Sequence, residues 1–133
     1  MLAFEQAVAA DPGNVRAWYR LAEARARLGM SDAAEDAYHR VLELAQDHLP
    51  TWLGLGRLYG RSGRTKQQCF ALLWLLMLAP DHVEARKELA LALEARGEGW
   101  QAKRQWLKLL SQQPDGAEAD LARRRLSEIR EIG

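Results

Sequence analysis

Three histidines and one cysteine are the residues of this 133-residue chain best suited to chemistry, and their spacing decides whether they can do any. Asp47-His48 and Asp81-His82 stand 34 residues apart, and an imidazole beside a carboxylate, twice over, invites a metal-site reading. Two ligands of one zinc must each come within about 2.0–2.1 Å of it, whereas equivalent points on neighbouring packed helices lie about 8–10 Å apart. No cysteine joins the pair, and neither does the third histidine, His39. No metal site and no cofactor are expected, and Asp47 and Asp81 are expected to cap helices. Cys69 adjoins Phe70 in an apolar run, where a buried, inert thiol is the default. A nucleophile needs a base at hand, and the spacing places none. No glycine-rich loop follows a strand, so phosphate-binding motifs are absent. With no catalytic constellation in view, the chain is expected not to be an enzyme.

The elements that would position these residues follow from a repeat. Shifted by 34 residues, Trp18 falls on Trp52, Leu21 on Leu55 and Leu89, Ala22 on Gly56 and Ala90, and Gly29 on Gly63 and Gly97. Tyr38 falls back on Phe4. A fixed period of this length is the signature of stacked helical hairpins. Val15 to Leu28 reads as a first helix with Trp18, Leu21, Ala22 and Leu28 on a buried stripe, ended by Gly29. A second helix follows, with Ala33, Ala34, Ala37, Tyr38, Val41 and Leu44 on its inner face. Ser31 or Asp32 is expected to cap it, Glu35 completing a capping box from Asp32. Pro50 suits the first turn of the next helix. Gly54 and Gly56 weaken that helix by about 1 kcal/mol each relative to alanine. Gly56 holds the close-contact slot of Ala22, whereas Gly54 has no evident packing reason.

Trp18-x2-Leu21-Ala22 and Trp52-x2-Leu55-Gly56-x2-Tyr59 resemble the first helix of a tetratricopeptide repeat. Ala34-x3-Tyr38 and Ala102-x3-Trp106 resemble its second helix, and Pro12, Pro80 and Pro114 sit where the family's closing proline sits. Departures are local: Arg25 and Leu93 replace the tyrosine, Gln46 the proline, Arg86 the tryptophan and Gln68 the small alanine. The resemblance implies an all-α, right-handed superhelix of antiparallel helix pairs, organised as one array over 1–133. Residues 1–14 would be the second helix of a truncated repeat, 15–48, 49–82 and 83–116 full repeats, and 117–133 a capping helix with a polar outer side. A chain that opens in mid-repeat reads as a piece of something longer.

Composition narrows the partners. Net charge is +1, so nothing global draws the chain to nucleic acid or an anionic membrane. The longest apolar run, Cys69 to Ala79, is eleven residues against the about 20 needed to span a bilayer. The first residues lack a basic segment, an apolar segment and a small-residue cleavage site, so no signal peptide is read and the stretch is expected to be soluble. The compartment stays open, since a lone cysteine excludes only an internal disulfide framework.

The family resemblance implies a groove lined by the first helices. Carried over by position, its residues are Arg16, Tyr19, Glu23, Ala26 and Arg27, then Pro50, Leu53, Arg57, Gly60 and Arg61, then Glu84, Lys87, Leu91, Glu94 and Ala95. The first two repeats offer four arginines against one glutamate, and arginine pairs bidentately with carboxylates. An acidic peptide is the expected ligand, with ordinary solvated arginines the plain alternative. Family members that clamp the tails of heat-shock chaperones place Lys and Asn here. The one asparagine of this chain, Asn14, lies in a turn, so that mode is not expected.

A second surface is read directly from the residues. The outer face of the second helix is mostly polar in two repeats: Asp36, His39, Arg40 and Glu43, and Arg104, Leu107, Lys108 and Ser111. In the middle repeat the same positions are Phe70, Leu73, Trp74 and Met77, an apolar stripe at i, i+3, i+4, i+7. Burying four such side chains yields roughly 6–12 kcal/mol gross, against about 4–15 kcal/mol of association cost. The stripe is expected to contact a second copy as a homodimer, another part of the parent protein, or a partner. Alternatively, the oversized Gln68 rotates the helix so that Cys69 takes its slot and the stripe turns inward. Together these readings describe a non-catalytic protein-binding module. A regulatory or substrate-presenting arm of a larger enzyme, or an oligomeric scaffold, is the alternative.

Overall fold

The computed structural model describes the backbone of residues 1–132 and the side chains of residues 1–129. The described residues form eight helices and no strand: α1 (Leu2–Ala10), α2 (Val15–Arg27), α3 (Ser31–Leu44), α4 (Leu49–Arg61), α5 (Thr65–Leu78), α6 (Val83–Ala95), α7 (Gly99–Gln112) and α8 (Ala117–Ile132). The tightest pairs are α2 on α3, α4 on α5 and α6 on α7, and neighbouring pairs are joined through α3–α4 and α5–α6. The next-nearest contacts, α2 with α4 and α6 with α8, place first helices side by side. This is the expected file of antiparallel hairpins, an all-α solenoid.

One turn recurs between the paired helices. Gly29 takes φ 77°, which an L-side chain resists, and Met30 N–H then reaches back to Arg25 C=O at 2.9 Å. The same closure joins Arg64 to Tyr59 at 2.9 Å and Glu98 to Leu93 at 2.8 Å. Trp106, Leu21, Leu55, Leu72, Leu75, Leu89 and Leu109 are the largest fully buried apolar side chains, so the core runs through the file rather than around one centre. Leu28 and Leu44, expected on inner faces, are 64% and 42% exposed because each falls at a helix end.

The caps differ from expectation. Met30 occupies the N-cap of α3 with no side-chain bond, so Ser31 and Asp32 are already helical. Glu35 is drawn away to the next repeat instead. It accepts from Tyr59 Oη at 2.7 Å and from Arg64 Nη1 at 2.8 Å. His48 and His82, not Asp47 and Asp81, are the N-caps of α4 and α6.

Helix α5 keeps its register despite Gln68. Leu72 is fully buried in the slot that Tyr38 and Trp106 fill in the sister repeats. Room for Gln68 comes from Gly60, where an added Cβ would lie 2.6 Å from Gln68 Nε2. The oversized residue is therefore matched by an absent side chain on the facing helix, and the stripe does not turn inward.

Candidate protein-interaction surfaces

The inner face is built by α2 and α4, with Tyr38 reaching in from α3. Tyr38 can reach because Gly54 has no side chain. A Cβ there would lie 2.7 Å from Tyr38 Oη and 2.8 Å from Cζ. Tyr19, Glu23, Tyr38, Leu53, Arg57 and Arg61 line one cavity of about 300 Å³, which His82 also borders. Six of the fifteen residues carried over for the groove, Pro50 among them, are thus brought together. Arg16 and Arg27 are exposed nearby on α2, and Lys87 and Leu91 lie on α6 outside the cavity.

Electrostatics separates the arginines. Arg57 is committed to α6: its Nη2 donates to Glu84 Oε1 at 2.9 Å and to Glu88 Oε2 at 3.0 Å. Arg27 and Arg61 make no ion pair among the described residues. Burial pushes the Tyr38 hydroxyl above its ordinary pKa, and Glu23 adds to this, while Arg61, Arg27 and Arg57 pull the other way. Three guanidinium groups therefore act on one phenol. The Tyr19 hydroxyl is pushed up to about 12 by burial and by Glu23, so it stays protonated at neutral pH.

Glu94 is placed differently from the groove role expected of it. Its carboxylate accepts from Trp106 Nε1 at 2.6 Å and from the Arg125 guanidinium of α8, so it clamps three helices together. Tyr38 and Glu88 are inner-face participants that the sequence reading did not weigh as such, whereas Glu84 was among the positions carried over. The detectable signal for Tyr38 was Gly54, an unexplained glycine inside a helix.

The outer face carries the apolar stripe. Phe70, Leu73 and Met77 are 61%, 49% and 71% exposed. Trp74 is half-buried, stacked on Trp52 with centroids 5.6 Å apart and planes at 14°, and Phe70 meets it edge-on at 6.5 Å. Phe70 stands between two recesses. One, about 450 Å³, lies between α5 and α7 over Cys69, Leu89 and Leu93. The other, about 410 Å³, lies between α3 and α5 over Leu42, Trp52 and Leu55.

The residues with metal-binding or nucleophilic types are occupied structurally. His82 Nδ1 accepts from Ala85 N–H at 3.0 Å, and His48 Nδ1 bonds Thr51 Oγ1 at 2.8 Å. Burial lowers the His48 pKa and raises that of Cys69, which disfavours both an imidazolium and a thiolate at neutral pH. Among the described residues, no group of three or more His, Cys, Asp or Glu is placed to hold a metal, and no helix is long and apolar enough to cross a membrane.

Comparison with known proteins agrees with this architecture. Residues 1–58 match the sequence profile of the Tetratricopeptide repeat family. A crystal structure of MamA superposes with TM-score 0.80 at 19% identity, over 97% of this chain and 84% of that one. A tetratricopeptide repeat protein from Parabacteroides merdae gives TM-score 0.87 at 20% identity, over 97% of this chain and 52% of that one. The first TPR of Spaghetti (RPAP3), bound to the HSP90 peptide SRMEEVD, gives TM-score 0.76 at 16% identity, over 89% and 91%. No curated protein matches the sequence significantly.

Proposed function

Taking this as a tetratricopeptide-repeat protein, we propose that it is a non-catalytic binding module that holds an acidic peptide along α2 and α4. The observation that carries the reading is the cavity of about 300 Å³ in which apolar Leu53 and the Tyr38 ring lie beside Arg61. An acidic residue flanked by an apolar one matches that pairing of a guanidinium with an apolar wall. Arg27, with its charge near the Tyr38 phenol, extends the basic character along α2. A structural neighbour bound to a peptide with three acidic residues supports the class of ligand for this fold. Here arginines, rather than lysines and an asparagine, would meet the carboxylates.

An array of acidic, neutral and basic peptides tests the reading. Acidic peptides should be retained by the wild type, lost with Arg27→Glu/Arg61→Glu, and weakened by added salt because exposed charges are screened. Equal retention of acidic and neutral peptides by both proteins would overturn it.

A further inference from the structure

We infer that the outer face of α5 binds a second copy of this chain, about a two-fold axis parallel to that helix. Three observations converge on this occupant. The first is the stripe itself: Phe70, Leu73 and Met77 stand exposed in a row, with a recess on each side of Phe70. A copy presenting the same row covers it with apolar side chains of its own.

The second is charge. Helix α3, on one side of the row, carries Asp36 and Glu43 on its outer face against one cation, Arg40, which is itself paired with Glu43. Helix α7, on the other side, carries Lys103, Arg104 and Lys108 and no carboxylate. The face is therefore acidic, apolar, basic in sequence across the file. An isologous contact must set a patch on itself, and only two orientations do so with the helices of the two copies aligned. With the two-fold axis running across the helices, α3 would meet the partner's α3 and α7 the partner's α7, both like-charged. With the axis along α5, each acidic helix meets the partner's basic one. Charge selects the second.

The third is register. The 34-residue period puts Asp36, Phe70 and Arg104 at equivalent points of α3, α5 and α7. In the selected orientation the two Phe70 side chains meet on the axis, and Asp36 of each copy comes level with Arg104 of the other, twice. Asp36 and Arg104 are both exposed and make no ion pair among the described residues. Two like-charged oppositions remain: exposed Lys66 against its own copy at the N-terminal end of the row, and Arg40 against Lys108, which is relieved because Arg40 is paired with Glu43 at 2.8 Å and lies over the Trp18 ring.

Sedimentation equilibrium of the wild type, Leu73→Glu, Asp36→Arg, Arg104→Asp and an equimolar mixture of the last two decides the matter. The wild type should dimerise with a Kd on the order of 10 μM. Leu73→Glu should be monomeric at about 100 μM, and each charge reversal should weaken the dimer at least about tenfold. In the mixture, both contacts of a mixed pair are attractive again, so a heterodimer should form near wild-type strength while neither variant pairs with itself. A wild type monomeric at about 100 μM overturns the proposal. A mixture no stronger than its components overturns the orientation, because only the axis along α5 opposes position 36 to position 104.

Discussion

Arg86 donates through Nη2 to the carbonyl oxygen of Pro80 at 2.8 Å, and this is the bond that a tryptophan makes in the two preceding repeats. Trp18 Nε1 donates to Pro12 C=O at 2.8 Å and Trp52 Nε1 to Gln46 C=O at 2.9 Å, each six residues upstream. What the slot requires is a flat, long side chain ending in an N–H that closes the inter-repeat turn. Arginine meets that requirement and adds two bonds across to α7, to Gln105 Oε1 at 2.6 Å and Gln112 Oε1 at 3.3 Å. The cost is a cation 6% exposed with no carboxylate beside it, and burial pulls its pKa down. Replacing Arg86 by methionine keeps the stem and strands the Gln105 and Gln112 oxygens, while Pro80 C=O retains its bond from Gln112 Nε2 at 2.8 Å. The replacement should destabilise by about 2 kcal/mol. Arg86→Trp should restore the bond to Pro80 and lose less than half as much. Urea midpoints of the two variants check the order.

Two glycines of α4 should respond oppositely to alanine. At Gly54 a Cβ meets the Tyr38 ring at 2.7–3.0 Å, and an aromatic ring packed between helices cannot move aside. Overpacking of about 1–3 kcal/mol should outweigh the about 1 kcal/mol gained in helix propensity. At Gly60 the obstacle is the amide end of Gln68, a flexible side chain that can swing toward water. Gly60→Ala should therefore be neutral or stabilising by up to about 1 kcal/mol. Thermal midpoints displaced in the same direction for both variants would contradict this account of α4.

Glu35 should make the fold acid-sensitive. Burial raises its pKa, but bonds from Arg64, Tyr59 and His39 together outweigh this and hold the carboxyl below the usual carboxylate range. A carboxyl depressed in the folded state contributes fully above its unfolded pKa of about 4.3 and loses that contribution as pH falls through the folded value. Glu35→Gln should be less stable than wild type at pH 7, by about 1 kcal/mol, chiefly through the Tyr59 bond because the exposed Arg64 is screened. The gap should close below about pH 4. Denaturant midpoints measured from pH 7 to pH 3 follow it.

Legibility divided along a physical line. Trp18, Leu21, Gly29 and their copies repeat in sequence because each repeat solves the same packing problem, so the helices and turns could be read within a residue or two. Pairings between repeats left no local trace. Gly60 makes sense only once Gln68 is seen against it, and Gly54 only once Tyr38 reaches it. Glu35 stands in capping-box spacing from Asp32, yet a phenol and a guanidinium from the next repeat outbid a backbone N–H for it. The same competition took Glu94 out of the groove, since Trp106 and Arg125 hold both its oxygens. The exposed stripe on α5 was readable because it required only the comparison of three equivalent faces.

The two central arginines of the inner face should prove unequal in binding. Arg61 is exposed and makes no ion pair among the described residues, so Arg61→Ala should weaken an acidic peptide about two- to fivefold and leave stability unchanged. Arg57 already serves Glu84 and Glu88, whose side chains are 53% and 18% exposed. Removing it leaves two carboxylates unpaired on the inner face, which should repel an acidic peptide as well as loosen α4 from α6. The converse variant carries the opposite sign. Glu84→Gln/Glu88→Gln releases the Arg57 fork and removes two negative charges, so an acidic peptide should bind more tightly, by about fivefold. Titration calorimetry with one acidic peptide against the three variants measures this. Weaker binding by the double glutamine variant would mean that the ligand does not pass over Arg57, and would move the acidic contact to the Arg27 end of α2.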